Sequence, residues 1–149
     1  MKSLLEEPAH REIHARIEKL HAEQVPGWGK MRVAQMLRHC QFPIETAMGT
    51  KPMRSPNLLM KLIFKSFKKS MYNDKLWKQG LPTPKSFMVE DDRDFNYEKN
   101  QLLRLVDDFH ALKVKEDWPD HPAFGSFSKE QWGKMQYKHL DHHLRQFGV

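Results

Sequence analysis

The chain has a single cysteine, Cys40, among 149 residues. A lone thiol forms no internal disulfide, so cysteine usage gives no sign of secretion. Long apolar runs are also missing: none approaches the roughly 20 residues that a membrane-spanning helix needs. In the opening stretch, MKSLLEEPAHREIHARIEKL, acids and bases interrupt the apolar residues, so no apolar region of the signal-peptide kind is present. The expectation is a cytoplasmic protein without a membrane span. There is no arginine-rich stripe, no zinc-finger spacing and no aromatic RNP motif. The net charge of +6 and the pI near 9.4 are therefore read as a solvated basic surface, and no nucleic acid is expected as a partner.

What is present balances well for folding. Hydrophobic residues make up 39% and charged residues 30%, a globular rather than a disordered composition. The length suits one domain over residues 1–149, large enough to bury a core without staples. No internal repeat or low-complexity tract interrupts it. The conspicuous excess is histidine, nine residues in one small domain.

Four segments carry helical periodicity, which predicts an all-α bundle. The first spans about Pro8–Ala22, with Ile13, Ile17 and Leu20 as its stripe and Pro8 suited to a first helical position. The motif VPGW at Val25–Trp28 ends it. The second spans about Met31–Met48, with Val33, Met36, Leu37, Cys40 and Ile44 on one face and Pro43 as a potential kink. The third spans about Tyr97–Leu112, with Leu102, Leu105, Val106, Phe109 and Leu112 as its core stripe. The fourth begins after Ser128, where Gln131 completes a capping box and Phe127 faces Trp132 as a hydrophobic staple; Gly148 closes it. The short link between the first two helices predicts antiparallel neighbours. The long stretch from Gly49 to Asn96 predicts a crossover that sets the third helix parallel to the second. Within it, PNLLMKLIFKSFKKSMY reads as a short helix with Leu59, Ile63, Phe64 and Phe67 packed on the bundle. Pro82, Pro84 and the acidic run Glu90–Asp94 read as loop.

The chemistry concentrates in YKHLDHHLRQFG. His139 and His143 lie one turn apart on one helix face, the spacing that lets two imidazoles reach one metal ion. Spacing alone discriminates little, because roughly half such a pair is expected by chance at this histidine content. Indeed His10 and His14 form another. Position separates the two pairs. Trp132, Met135, His139 and His143 share a narrow sector of the fourth helix, so its histidines occupy the core stripe. Buried imidazoles need partners, which a metal or core hydrogen bonds would supply. His10 and His14 fall beside the first helix's stripe and read as solvated surface residues. His39 of the second helix, beside Cys40 at the edge of the core face, is a candidate third ligand.

The arrangement WGKMRVAQMLRHC, a long crossover, and then HPAFGSFSKEQWGKMQYKHLDHHLRQFG resembles the DinB/YfiT-like superfamily of metalloenzymes, closest to an uncharacterised domain-of-unknown-function branch of it. The resemblance covers nearly the whole chain. It implies a four-helix bundle of up-down-down-up order with a long, helix-containing crossover between helices two and three. It also implies a divalent metal (Zn, Ni or Fe) on His39, His139 and His143, with His142 pointing elsewhere. Characterised relatives include bacillithiol- or mycothiol-dependent S-transferases and a maleylpyruvate isomerase. The implied class is thus a metal-dependent transferase or hydrolase acting on a small-molecule substrate, with a low-molecular-weight thiol as cosubstrate. The ion would act as a Lewis acid that lowers the pKa of a thiol or water.

The alternative function is a non-catalytic bundle that binds a ligand or partner, including a second copy of itself. His121, in HPAFG, is a candidate catalytic base or substrate contact beside its plainer reading as a loop turn. Cys40 reads as a small buried hydrophobe. Lys61, Lys65, Lys68 and Lys69 read as a solvated face, and Trp28, Trp132 and Tyr137 as packing residues.

Overall fold

The computed structural model describes residues 1–51, 55–81, 83 and 85–149. Pro82 and Pro84, read from the sequence as loop, lie outside the described residues. The chain is all-helical. Its α-helices are α1 (Glu7–Glu18), α2 (Val33–Met48), α3 (Leu58–Phe67), α4 (Phe95–Ala111) and α5 (Lys129–Gln146). No β-strand occurs among the described residues; a single isolated bridge joins His121 to Gly125.

The element ends follow local chemistry. Ser128 accepts from the Gln131 backbone N–H at 3.2 Å, and the Gln131 side chain accepts from the Ser128 N–H at 3.1 Å. Behind that capping box the Phe127 and Trp132 rings meet edge to face at 5.2 Å, as the staple requires. Asp94 caps α4 through Tyr97. The first helix ends at Glu18 rather than Ala22, and past its end Lys99 of α4 donates to the carbonyls of Glu18 and Leu20 at 2.7 and 3.0 Å. Pro43 does not break α2, which continues to Met48. Lacking an N–H, it leaves the carbonyl of His39 without its intrahelical donor.

The expected stripes form most of the core, except that Leu105 and Leu112 of the third helix are only partly buried. Ile13, Ile17, Met36, Leu37, Ile44, Leu102, Val106, Phe109, Trp132, Leu140 and Leu144 are fully or almost fully buried. Packing joins α1 to α4 and α5, and α2 to the same two helices. Side-chain pairings give the senses. Glu7 meets His110 and His10 meets Asp107, so α1 and α4 are antiparallel. Glu12 meets Tyr137 and Arg16 meets Asp141, so α1 and α5 are parallel. Gln136 donates to the Pro43 carbonyl and Gln146 to that of Trp28, so α2 and α5 are antiparallel.

Two expectations are corrected. The first two helices are not neighbours; they face each other across the diagonal, with α4 and α5 between them. The connecting residues 19–32 pass over the end of α5, where the Gly27 N–H donates to the Gln146 carbonyl and Gln24 to that of Phe147. A connection of this length spans a bundle corner to corner, since an extended residue covers about 3.3 Å. Nor does α3 pack its apolar side on the bundle. Leu59, Ile63 and Phe67 are 68%, 43% and 56% exposed, and among that set only Phe64 reaches an aromatic partner, Phe124.

Candidate metal centre

The second and fifth helices carry the three histidines to one point. His39, His139 and His143 are 4%, 8% and 7% exposed. Each offers one ligand nitrogen, and these atoms lie within 4.8 Å of one another. The Nε2 atoms of His39 and His139 are 3.1 Å apart. Ring centroids are separated by 5.0 Å (39–139), 4.7 Å (39–143) and 4.8 Å (139–143), with interplanar angles of 54°, 72° and 76°.

Outer partners fix two of the tautomers. The His39 Nδ1–H donates to the Phe87 carbonyl at 2.9 Å, and the His143 Nδ1–H donates to Gln146 Oε1 at 2.8 Å. Both rings therefore hold a lone pair on Nε2, the state a metal takes. Gln146 is itself held, since its Nε2 donates to the Trp28 carbonyl at 2.6 Å. The contact depends on Gly29, whose φ of +80° and missing Cβ give Gln146 room; an added Cβ would sit 2.7 Å from Gln146 Nε2. His139 Nδ1 is buried without a partner.

Burial keeps these rings neutral. It lowers the pKa of His39 and holds that of His139 well below the ordinary value; His143 is pushed down to about 3. Crowding by neighbouring histidines adds to the effect at His139 and His143. Neutral nitrogen donors on buried rings suit a divalent ion of the zinc, nickel or iron type. The donor set and its tautomers thus fit the metal that the sequence pattern implies.

The surroundings give the cluster an approach. A cleft of about 490 Å³ has Trp28, Met31, Met88, His142, His143 and Gln146 among its lining residues. Trp28 is thus a cleft wall rather than a core residue. Trp77 sets its edge against His139 and His142 at 6.0 and 5.7 Å, and Phe87 stacks on Phe42 at 5.4 Å. His142 is not one of the three converging donors, but it does not point clear of them: its ring meets that of His143 edge to face at 5.1 Å, besides packing against Trp28 and Trp77.

His121 lies elsewhere. It packs against Trp132, about two turns from His139 along α5. Its Nδ1 accepts from the Ala123 and Phe124 N–H groups at 3.1 and 3.3 Å, closing the turn before the helix cap. Cys40 is fully buried, and burial alone raises its pKa far above the ordinary thiol range. It faces the Met36 sulfur rather than the cluster.

The family model described as protein of unknown function (DUF1569) matches residues 2–148. The chain belongs to this DUF1569 family. No curated protein and no solved structure matches it. These comparisons give no link to the DinB/YfiT-like superfamily. The positions that sequence reading missed in this DUF1569 protein are Phe87, Gln146, Trp28 and Trp77. Only Gln146 left a signal, being one turn after His143; the others arrive from distant segments. His10 is also corrected: it is not a solvated residue but stacks on His110 at 4.3 Å.

Proposed function

We propose that the chain is a metal-dependent enzyme of the DinB-like type, holding one divalent ion on His39, His139 and His143. The observation that carries the reading is the pair of outer acceptors, the Phe87 carbonyl and Gln146 Oε1. They leave the lone pairs of His39 and His143 on Nε2, and the His39 Nε2 lies 3.1 Å from that of His139. Core histidines that served packing alone would have no need to present three neutral nitrogens to one point. The helix senses support the DinB-like reading as well, with α1 and α5 running one way and α2 and α4 the other.

When bound, the ion supplies Lewis acidity that lowers the pKa of a thiol or water. The residues around it do the rest. Burial keeps the three imidazoles unprotonated, so they remain ligands down to acidic pH. Gln146 orients His143, and the cleft beside His143 admits a small molecule. Trp28, Met31 and Met88 give that cleft an apolar wall, while Gln35, His142 and Gln146 give it polar contacts. This combination suits a small substrate together with a low-molecular-weight thiol, as in an S-transferase, or with water, as in a hydrolase.

Elemental analysis after chelator-free purification tests the site. The His139→Ala, His143→Ala double variant is expected to lose one equivalent of metal relative to the natural chain, because one remaining nitrogen makes a poor site. Unchanged metal content would sink the reading. Cobalt-loaded protein tests the thiol: added cysteine should give a sulfur-to-cobalt charge-transfer band that the double variant lacks.

One observation favours a second reading, a non-catalytic bundle that binds a partner chain or a second copy of itself. The apolar side of α3 lies uncovered. A metal-loaded protein that turns over neither thiol-transfer nor hydrolytic substrates yet elutes as a dimer would support it.

A further inference from the structure

We propose that Glu7, His10 and His110 form a second divalent transition-metal site, between α1 and α4, on the other side of the bundle from the cluster between α2 and α5. The ligand atoms these three residues offer lie within 4.8 Å of one another. Glu7 and His10 are three residues apart and share one face of α1. His110, near the end of α4, lays its ring against that of His10, with centroids 4.3 Å apart and planes 21° apart.

The hydrogen bonds show which atoms are free. The His110 Nδ1–H donates to the Leu4 carbonyl at 3.1 Å. Its Nε2 then faces Glu7 Oε2 at 3.0 Å. A lone pair and a carboxylate oxygen at that distance call for positive charge between them. At present the Lys113 ammonium, 3.3 Å from His110 Nε2, supplies some of it from an exposed, flexible side chain. On the other ring, the His10 Nε2–H donates to Asp107 Oδ1 at 2.7 Å. That leaves the His10 Nδ1 lone pair, which is buried without any partner.

A proton on His110 would satisfy Glu7 and leave His10 Nδ1 orphaned. A metal cation satisfies all three. Both imidazoles are held from behind by an oxygen acceptor, Asp107 for His10 and the Leu4 carbonyl for His110, as ligating histidines generally are. Two nitrogens and one carboxylate oxygen suit zinc and its first-row neighbours. Zinc bonds of about 2.0–2.2 Å need the donors drawn closer, and because an imidazole binds a metal in its own plane the His10 ring must turn out of its stack on His110; its partner Asp107 and the Glu7 carboxylate are both exposed and have the freedom to follow. Lys113 would swing out to solvent. The site would clamp the first turn of α1 to the last turn of α4, and with it the N-terminal segment through Leu4. His14 is 3.9 Å from Asp107 and belongs to the surroundings, not to the ligand set.

Zinc titration of the full chain carrying His139→Ala and His143→Ala isolates this site from the first. One equivalent should bind and raise the melting temperature. Adding His10→Ala or Glu7→Gln should weaken binding at least tenfold and remove the thermal shift, whereas His14→Ala should leave both. No zinc binding by a background variant with unaltered helical circular dichroism would overturn the proposal, as would binding indifferent to His10→Ala. Should the background variant not fold, His10→Ala in the natural chain gives the answer: bound zinc must fall by one equivalent, and unchanged stoichiometry overturns the site.

Discussion

At the scale of single residues, what matters is which polar atoms have partners. Gln146 lines the cleft and also fixes the His143 tautomer, being itself fixed by the Trp28 carbonyl. Outer partners of this kind are worth about 10–100-fold in metal affinity. Gln146→Leu is therefore expected to lower zinc affinity within that range, with unchanged helicity, as measured by competition against a chromophoric chelator. Affinity equal to that of the natural chain would show that His143 does not need its acceptor. His121 offers a test of a different sort. Burial pushes it down to about 4, so below pH 6.5 the unfolded chain takes up a proton that the folded chain refuses. Stability is thus intact above pH 6.5 and falls as pH drops toward 4, by up to about 3 kcal/mol from this residue. His121→Asn keeps an acceptor near the Ala123 and Phe124 N–H groups but cannot titrate. Urea unfolding at pH 7 and pH 4.5 should show a smaller pH-dependent loss in the variant, whatever the packing cost common to both pH values.

At the scale of elements, α3 and the turn that follows it behave differently from the four packed helices. Leu59, Ile63 and Phe67 bury little in the single chain, so their replacement by serine should lower the unfolding free energy measured in urea by less than about 0.5 kcal/mol per site. Leu102→Ala, in the core of α4, should cost about 2–5 kcal/mol in the same assay. A loss at α3 comparable to that at Leu102 would mean that the helix is covered in solution. The segment after α3 is tied down by Lys138 of α5, together with the ion pair from the chain's N-terminus to Asp74 and the bond from Lys68 to the Ser126 carbonyl. The Lys138 ammonium donates to the Ser70 and Asn73 carbonyls and to Asn73 Oδ1, at 2.7, 3.1 and 2.7 Å. Burial lowers its pKa to about 8, yet it stays charged at neutral pH. Lys138→Met should leave the bundle folded and speed amide exchange over residues 68–76, where these carbonyls would lose their donor.

At the scale of the whole molecule, the core and the candidate site are separable. The buried apolar residues of α1, α2, α4 and α5 form one cluster that does not include the three histidines. Chelator treatment should therefore leave far-ultraviolet circular dichroism unchanged at room temperature while lowering the melting temperature of a metal-loaded sample, since a ligand bound only to the folded state stabilises it by mass action. Collapse of helicity on chelation would instead make the metal a folding element.

The amino-acid sequence by itself determined the helices and the inward faces of α1, α2, α4 and α5, though not that of α3. Periodicity at 3.6 residues, the Ser128–Gln131 box and the Phe127–Trp132 staple are local, so neighbours along the chain suffice to specify them. It also determined that His139 and His143 point inward, because they share a sector with Trp132 and Met135. Tertiary structure alone decided what lies across from each face. The diagonal placement of α1 and α2 depends on how residues 19–32 dock on the end of α5. The acceptor for His39 is the backbone carbonyl of Phe87, whose partner no sequence pattern specifies. His10 and His110 stand 100 positions apart, and only the antiparallel packing of α1 on α4 stacks their rings. Local propensity extends over a turn or two, whereas tautomers, orphaned nitrogens and metal-binding geometry are set by atoms brought together from distant parts of the chain.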